Sequence, residues 1–160
     1  HWSEVLGPRA ATSRVGLVWS GSTWHTNDRN RSIPLAQMLT HLPVGPEYIS
    51  LQRDVRESDL GTLAGATQLR HFGQDLTNFE ETAALCSLMD VVITVDTSVA
   101  HLAAALGKAT WLLLPYVPDW RWLLHRDDSP WYPSMRLFRQ IRPGDWASPL
   151  QRAAHALTEV

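Results

Sequence analysis

Apolar and polar positions along this chain fall in blocks rather than alternating residue by residue. Residues 14–20, 48–51, 90–95, 110–114 and 135–139 are short, mostly apolar runs, and 68–72 is a shorter, mixed one. Continuous runs of this kind suit strands covered on both faces. Between them, apolar residues recur at three- and four-residue spacing. Leu35, Met38, Leu39 and Leu42 form one such set, and Leu150, Ala153, Ala154 and Leu157 form another within residues 145–160. Residues 55–63, 79–89 and 97–106 complete the predicted helices. Strand alternates with helix throughout, which predicts an α/β fold, a doubly wound and mainly parallel Rossmann-like sheet with right-handed crossovers. Residues 1–13, with Gly7-Pro8, carry no such pattern and are expected to be a lead-in from a preceding part. The domain proper is expected over 14–160.

Polar punctuation supports these boundaries. Ser32 stands before Pro34 as a candidate helix cap, and Asn78 or Thr77 precedes a helix with Glu80 and Glu81 in its first turn. The best-defined unit is residues 91–108. Val91-Val92-Ile93-Thr94-Val95 predicts a buried strand, Asp96-Thr97-Ser98 a polar turn, and the Ala- and Leu-rich run that follows a helix stopped by Gly107. A helix start with two hydroxyls, free N–H groups and a positive dipole end suits a phosphate.

In a sheet of this type, ligands bind beyond the carboxyl ends of the strands, where the strand order reverses. An order of 3-2-1-4-5-6 would set the Ser20-Gly21-Ser22 turn opposite Asp96-Thr97-Ser98. Arg29 and Arg31, in the loop leaving the first turn, would then form a clamp for a diphosphate. His101 follows Ser98 by three residues and Thr97 by four, and so shares their helix face. Each feature also has a plainer explanation: hydroxyls that only cap, a packed histidine, solvated arginines. Asp96 would repel an anion, and either orients the turn or accepts from a sugar hydroxyl. Gln52, at the end of the second strand, is either a surface amide or a ribose contact.

Composition narrows the field. The chain has 160 residues, enough for one domain with a real core, and is 44% hydrophobic and 19% charged. A net charge of −2 gives no support to nucleic acid as a partner. The single cysteine, Cys86, excludes an internal disulfide and fits a reducing cytoplasm. It falls in a predicted helix and reads as core. No run approaches the roughly 18 apolar residues of a membrane span, and no signal-peptide pattern opens the chain. A start at histidine is expected of a piece of a longer protein. Neither G-x-G-x-x-G, G-x-x-x-x-G-K-[ST] nor G-x-S-x-G occurs, which weighs against NAD binding, P-loop and serine-hydrolase chemistry. The seven histidines lack zinc-ligand spacing, so no metal site is expected. Eight tryptophans is a high count, and Asp119-Trp120-Arg121-Trp122 with Trp131-Tyr132 concentrates three of them. These aromatics either cover a sheet edge or another domain, or form a platform for a sugar or base.

Several stretches together resemble one protein group. They are Val15-Gly16-Leu17-Val18-Trp19-Ser20-Gly21, Asn27-Asp28-Arg29-Asn30-Arg31-Ser32-Ile33-Pro34-Leu35, Ser50-Leu51-Gln52 and Val95-Asp96-Thr97-Ser98-Val99-Ala100-His101, with Pro118-Asp119-Trp120-Arg121-Trp122 and Ser129-Pro130-Trp131-Tyr132-Pro133 extending the match. The set is similar to the glycosyltransferase region that follows tetratricopeptide repeats in bacterial proteins, and more distantly to the carboxyl halves of heptosyltransferases and O-linked N-acetylglucosamine transferases. The resemblance implies the carboxyl, donor-binding half of a GT-B glycosyltransferase, cytoplasmic, with the acceptor-binding half and helical repeats elsewhere in the parent. It implies a nucleotide-diphosphate sugar as donor substrate, no separate cofactor, and inverting, metal-independent transfer. By itself the fragment is expected to bind donor without turnover, with the catalytic base on the other half. Thr97, Ser98 and His101 would hold the diphosphate, approached by Ser20, Gly21 and Ser22. Gln52 would meet the ribose, and Leu76 or Thr77 would border the base. A heptosyltransferase usually carries a lysine in the first loop, a place that Arg29 or Arg31 would take here. The alternative is a non-catalytic Rossmann-like module that binds a protein partner through its aromatic segment.

Overall fold

A computed structural model describes all 160 residues. The chain runs α1 (Trp2–Leu6), β1 (Arg14–Val18), α2 (Asp28–Arg31), α3 (Leu35–His41), β2 (Glu47–Ser50), α4 (Glu57–Gly65) and β3 (Leu69–His71). It continues α5 (Phe79–Ser87), β4 (Val91–Val95), α6 (Ser98–Ala105), β5 (Ala109–Leu114), a 3₁₀ turn (Trp120–Trp122), β6 (Met135–Arg139) and α7 (Ala147–Leu157). The six strands form a single parallel sheet in the order β3-β2-β1-β4-β5-β6. This is the predicted Rossmann-like α/β architecture, and it makes β1 and β4 neighbours.

Strand pleating distributes the core between two layers. Val15, Leu17, Val91, Ile93, Val95 and Leu113 face one layer, where they meet Leu35 and Met38 of α3 and Leu150, Ala153 and Leu157 of α7. Val18 and Val92 face the other, against Leu85, Cys86 and Ala103 of α5 and α6. Both faces of the sheet are therefore covered, which is why its strands read as apolar runs. Cys86 lies in this core, and burial pushes its thiol up to about 12, which removes it as a nucleophile at neutral pH.

The lead-in is folded onto the domain. Trp2 and Leu6 are buried in the second layer, and Trp2 Nε1 donates to Glu81 Oε2 at 2.7 Å. Residues 5–9 also close the amino end of the sheet. Arg14, only 3% exposed, donates from Nε to Glu47 Oε2 at 2.8 Å and from Nη2 to the carbonyl of Gly7. Arg70 donates to the other Glu47 oxygen at 2.7 Å and to the carbonyls of Val5 and Leu6. Asp90 accepts from the Arg14 amide at 2.8 Å and from the Arg9 guanidinium. Burial alone would raise both carboxyls, but the surrounding hydrogen bonds and cations hold Glu47 and Asp90 below their ordinary values.

Two local expectations change. Asn78 does cap α5, its Oδ1 accepting from the Glu81 amide at 2.9 Å. Ser32 does not cap α3: the Leu35 amide is met instead by Asp59 Oδ1 at 3.1 Å, a buried carboxylate of α4 that also accepts from Trp19 Nε1 at 3.0 Å. A carboxylate reaching across from a neighbouring helix has no local signature in the chain. The loop over 22–32 also contains one helical turn, α2.

Candidate functional site

The carboxyl ends of β1, β2 and β4 converge on an open cavity of about 560 Å3. Its walls are the turn after β1 (Ser20, Gly21, Ser22), the turn after β2 (Gln52, Arg53, Arg56), the start of α6 (Thr97, Ser98, Val99) and the segment before α5 that includes Leu76. This is the topological switch point of the sheet, where its order reverses between β1 and β4.

The first turn is held rigidly. Gln52 is buried, and its Oε1 accepts from the amides of Trp19 and Ser20 at 3.2 and 3.1 Å. Its Nε2 donates to the carbonyls of Ser20 and Asp54, both at 3.0 Å. The amide thus has both lone pairs and both hydrogens engaged by backbone. Ser32 Oγ accepts from the Gly21 amide at 3.0 Å and donates to Asp28 Oδ1 at 2.7 Å. Arg56 ties the same knot, donating to Asp28, Ser32 Oγ and the Gly21 carbonyl. Arg31 crosses to the opposite turn, Nη1 donating to the Asp96 carbonyl at 2.7 Å. Its guanidinium lies so close to the Gly21 Cα that a side chain there would displace it.

The opposite turn is braced from behind. Trp122 is fully buried and donates from Nε1 to Asp96 Oδ2 at 2.9 Å. His101 stacks on Trp122 with ring centroids 5.3 Å apart, and its Nδ1 pairs with Tyr132 Oη at 2.9 Å. The segment carrying these aromatics is fastened by Arg139, whose guanidinium donates to the carbonyls of Trp122, Leu123 and Arg126. Leu123 and His125 adopt positive φ, 54° and 55°, within it.

Against this bonded frame stand groups with no partner in the chain. The Ser98 and Val99 amides, in the first turn of α6, donate to no backbone or side-chain acceptor. Thr97 occupies the cap position without making a side-chain cap bond. Ser20 is 2% exposed, and its Oγ is buried without a hydrogen-bond partner. All of these residues line the cavity.

The family model for Glycosyltransferase family 9 (heptosyltransferase) matches residues 75–112. That span carries α5, β4, the Asp96–Ser98 turn and α6, and hence the Leu76 and Thr97–Val99 walls of the cavity. Among solved structures, the chain is similar to the E. coli ADP-heptose LPS heptosyltransferase II, with a TM-score of 0.57 at 14% identity over 98% of this chain and 49% of that one. That likeness is one of fold. Among curated proteins, it is 28% identical to Protein FlbA of Caulobacter vibrioides over 99% of its own length. The chain spans 27% of that relative and about half of the heptosyltransferase. Of the resemblances drawn from the sequence, the heptosyltransferase one is carried by these matches.

The expected site residues divide accordingly. Ser20, Gly21, Ser22, Thr97, Ser98 and Leu76 come together at the cavity, whereas Thr77 faces an adjoining cavity of about 770 Å3. Gln52 is present as a clamp on the first turn and has no hydrogen-bonding capacity left for a ribose. His101 and Asp96 lie behind the turn, committed to Tyr132 and Trp122, and do not line the cavity. The arginine clamp differs most from expectation. Arg31 serves as a strut and Arg29 is exposed without a hydrogen bond, and neither lines the cavity. The cations that do are Arg53 and Arg56, which the sequence reading did not single out. Both lie within four residues of Gln52, in a turn whose position next to β1 was already predicted.

Proposed function

We propose that this chain is the donor-binding half of an inverting, metal-independent glycosyltransferase, and that its cavity takes the diphosphate of a nucleotide sugar. One observation carries the reading. Unpaired donors from two turns, the Ser98 and Val99 amides and the orphaned Ser20 hydroxyl, converge at the start of α6, where the helix dipole adds positive potential. As the bond from the anomeric carbon to the diphosphate oxygen breaks, negative charge grows on the departing diphosphate. Fixed donors at that point stabilise it more than the ground state, which is electrostatic catalysis. Attack by an acceptor hydroxyl on the opposite face inverts the anomeric centre, with a base on the acceptor half of a longer cytoplasmic parent. Leu76, buried at the cavity wall, offers an apolar edge for the base. The donor is substrate, and no separate cofactor enters.

Titration with UDP, GDP and ADP, followed by amide NMR, tests the reading. At least one should shift the Thr97–Val99 amides, and Thr97→Ala with Ser98→Ala should weaken that binding about tenfold. No shift with any of the three overturns it. A second reading rests on Trp120, Leu124 and Trp131, which are 71%, 63% and 59% exposed and suit a protein partner. It alone survives a silent nucleotide titration.

A further inference from the structure

Of the two cations that line the cavity, the fold occupies one. Arg31 is turned to the Asp96 carbonyl, and Arg56 is held by Asp28, Ser32 and Gly21. Arg53 also lines the cavity, is exposed, and its guanidinium makes no hydrogen bond or ion pair within the chain. Its backbone, by contrast, is firmly placed. Gln52 before it and the Asp54 carbonyl after it share the bonds of the Gln52 amide. On the other side, the Arg53 carbonyl packs so tightly on Gly73 that a Cβ there would lie 2.5 Å from it. Glycine at 73 is what lets the turn sit this close to β3. The fixed Cα sets where the side chain starts, and the unbonded guanidinium keeps all its donors free for a ligand.

We propose that Arg53 is the cation that recognises the diphosphate, closing on it from the β2 side while the start of α6 and the Ser20 hydroxyl hold it from the other. The proposal rests on the donor-binding reading and assigns to Arg53 the role the sequence suggested for Arg29 or Arg31. Ser20 is the independent sign that an anion belongs here: a hydroxyl 98% buried, unpartnered, in the wall that faces α6. Arg53 also lines the adjoining cavity together with Asp54 and Asp75, so it stands at the boundary between the two. Asp75 lies on the far side of that boundary, whereas Asp54 borders both cavities, next to Arg53 in the same turn. A guanidinium placed there distinguishes a diphosphate from a neutral nucleoside by charge-assisted, two-point donation.

Calorimetric titration of the 160-residue chain with UDP, GDP and ADP, and with the corresponding nucleosides, separates the possibilities. Arg53→Gln should weaken the diphosphate that binds by about tenfold and shift nucleoside binding less than about twofold. Arg53→Lys should recover part of the loss, and Arg29→Gln should bind as the unaltered chain does. Equal melting temperatures for all three variants are expected, since neither arginine bonds anything in the fold. If Arg53→Gln retains the full preference for diphosphate over nucleoside, this assignment is overturned while the donor reading stands. If the unaltered chain binds no nucleoside diphosphate, the donor reading falls and the assignment with it.

Discussion

The two ends of the parallel sheet are built on opposite principles. At the amino end, the buried and half-buried charges are paired: Arg14 and Arg70 share Glu47, and Arg9 and the Arg14 amide share Asp90. At the carboxyl end, hydrogen bonds are as dense, but they end in a ring of unsatisfied donors at Ser20, Ser98 and Val99. The Ser20 hydroxyl is buried, and a buried polar group without a partner costs free energy; on the proposed reading a bound diphosphate would supply the missing partner. Number of polar residues does not distinguish the ends. What distinguishes them is whether the polar groups are finished.

The largest effect that sharpens this contrast is expected from Glu47→Ala. Arg14 would keep its backbone acceptors but lose its counter-ion while buried, at a cost of about 3 kcal/mol in urea denaturation. Nucleotide binding at the far end should be unchanged. The same pairs set the acid limit. Glu47 and Asp90 titrate below their unfolded values of 4.5 and 3.8 when folded. Their contribution is complete above those values and is lost as pH falls through the lower folded ones. His71 acts in the same direction: burial lowers its pKa from 6.5, so protonation on acidification favours the unfolded chain. Glu47→Ala should therefore show a shallower loss of stability below about pH 4.5 than the unaltered chain.

Gln52 gives the next test, at the boundary between scaffold and site. Gln52→Glu keeps the two acceptor bonds to Trp19 and Ser20 but turns a carboxylate oxygen toward the carbonyls of Ser20 and Asp54. A loss of about 2 kcal/mol is expected, with weaker nucleotide binding as the first turn loosens. Unchanged stability with tighter binding would instead return Gln52 to the ribose.

The difference between scaffold and site also explains what the chain showed in advance. The sheet was legible because covering both faces leaves a one-dimensional signature; the 3-2-1-4-5-6 order entered only as one of the common doubly wound arrangements, and the structure has it. The Asp96-Thr97-Ser98 turn was legible because strand, turn and helix start are contiguous. Side-chain direction was not. His101 has the spacing to join Thr97 and Ser98, yet a stack on Trp122 and a bond to Tyr132, 21 and 31 residues further on, draw it behind the turn. Arg29 and Arg31 are two positions apart, and the tertiary acceptor at Asp96 takes only the second. Asp59 caps a helix it does not belong to, and Trp2 is buried from a stretch with no periodic pattern. In each case the deciding partner is distant in sequence, so local spacing carries no trace of it.

Ser20→Ala is the smallest change and the one that bears most directly on the contrast. In an ordinary core, removing a buried hydroxyl sacrifices a hydrogen bond and destabilises. Here the hydroxyl has no partner to lose, and its removal relieves the desolvation of an unpaired polar atom. The expected result is a gain in stability of up to about 1 kcal/mol, accompanied by a several-fold loss in nucleoside-diphosphate affinity. Opposite signs in the two measurements are what a site held unfinished for its ligand requires. A loss in both would mean that Ser20 belongs to the scaffold, and that the two ends of the sheet differ less than their hydrogen bonds indicate.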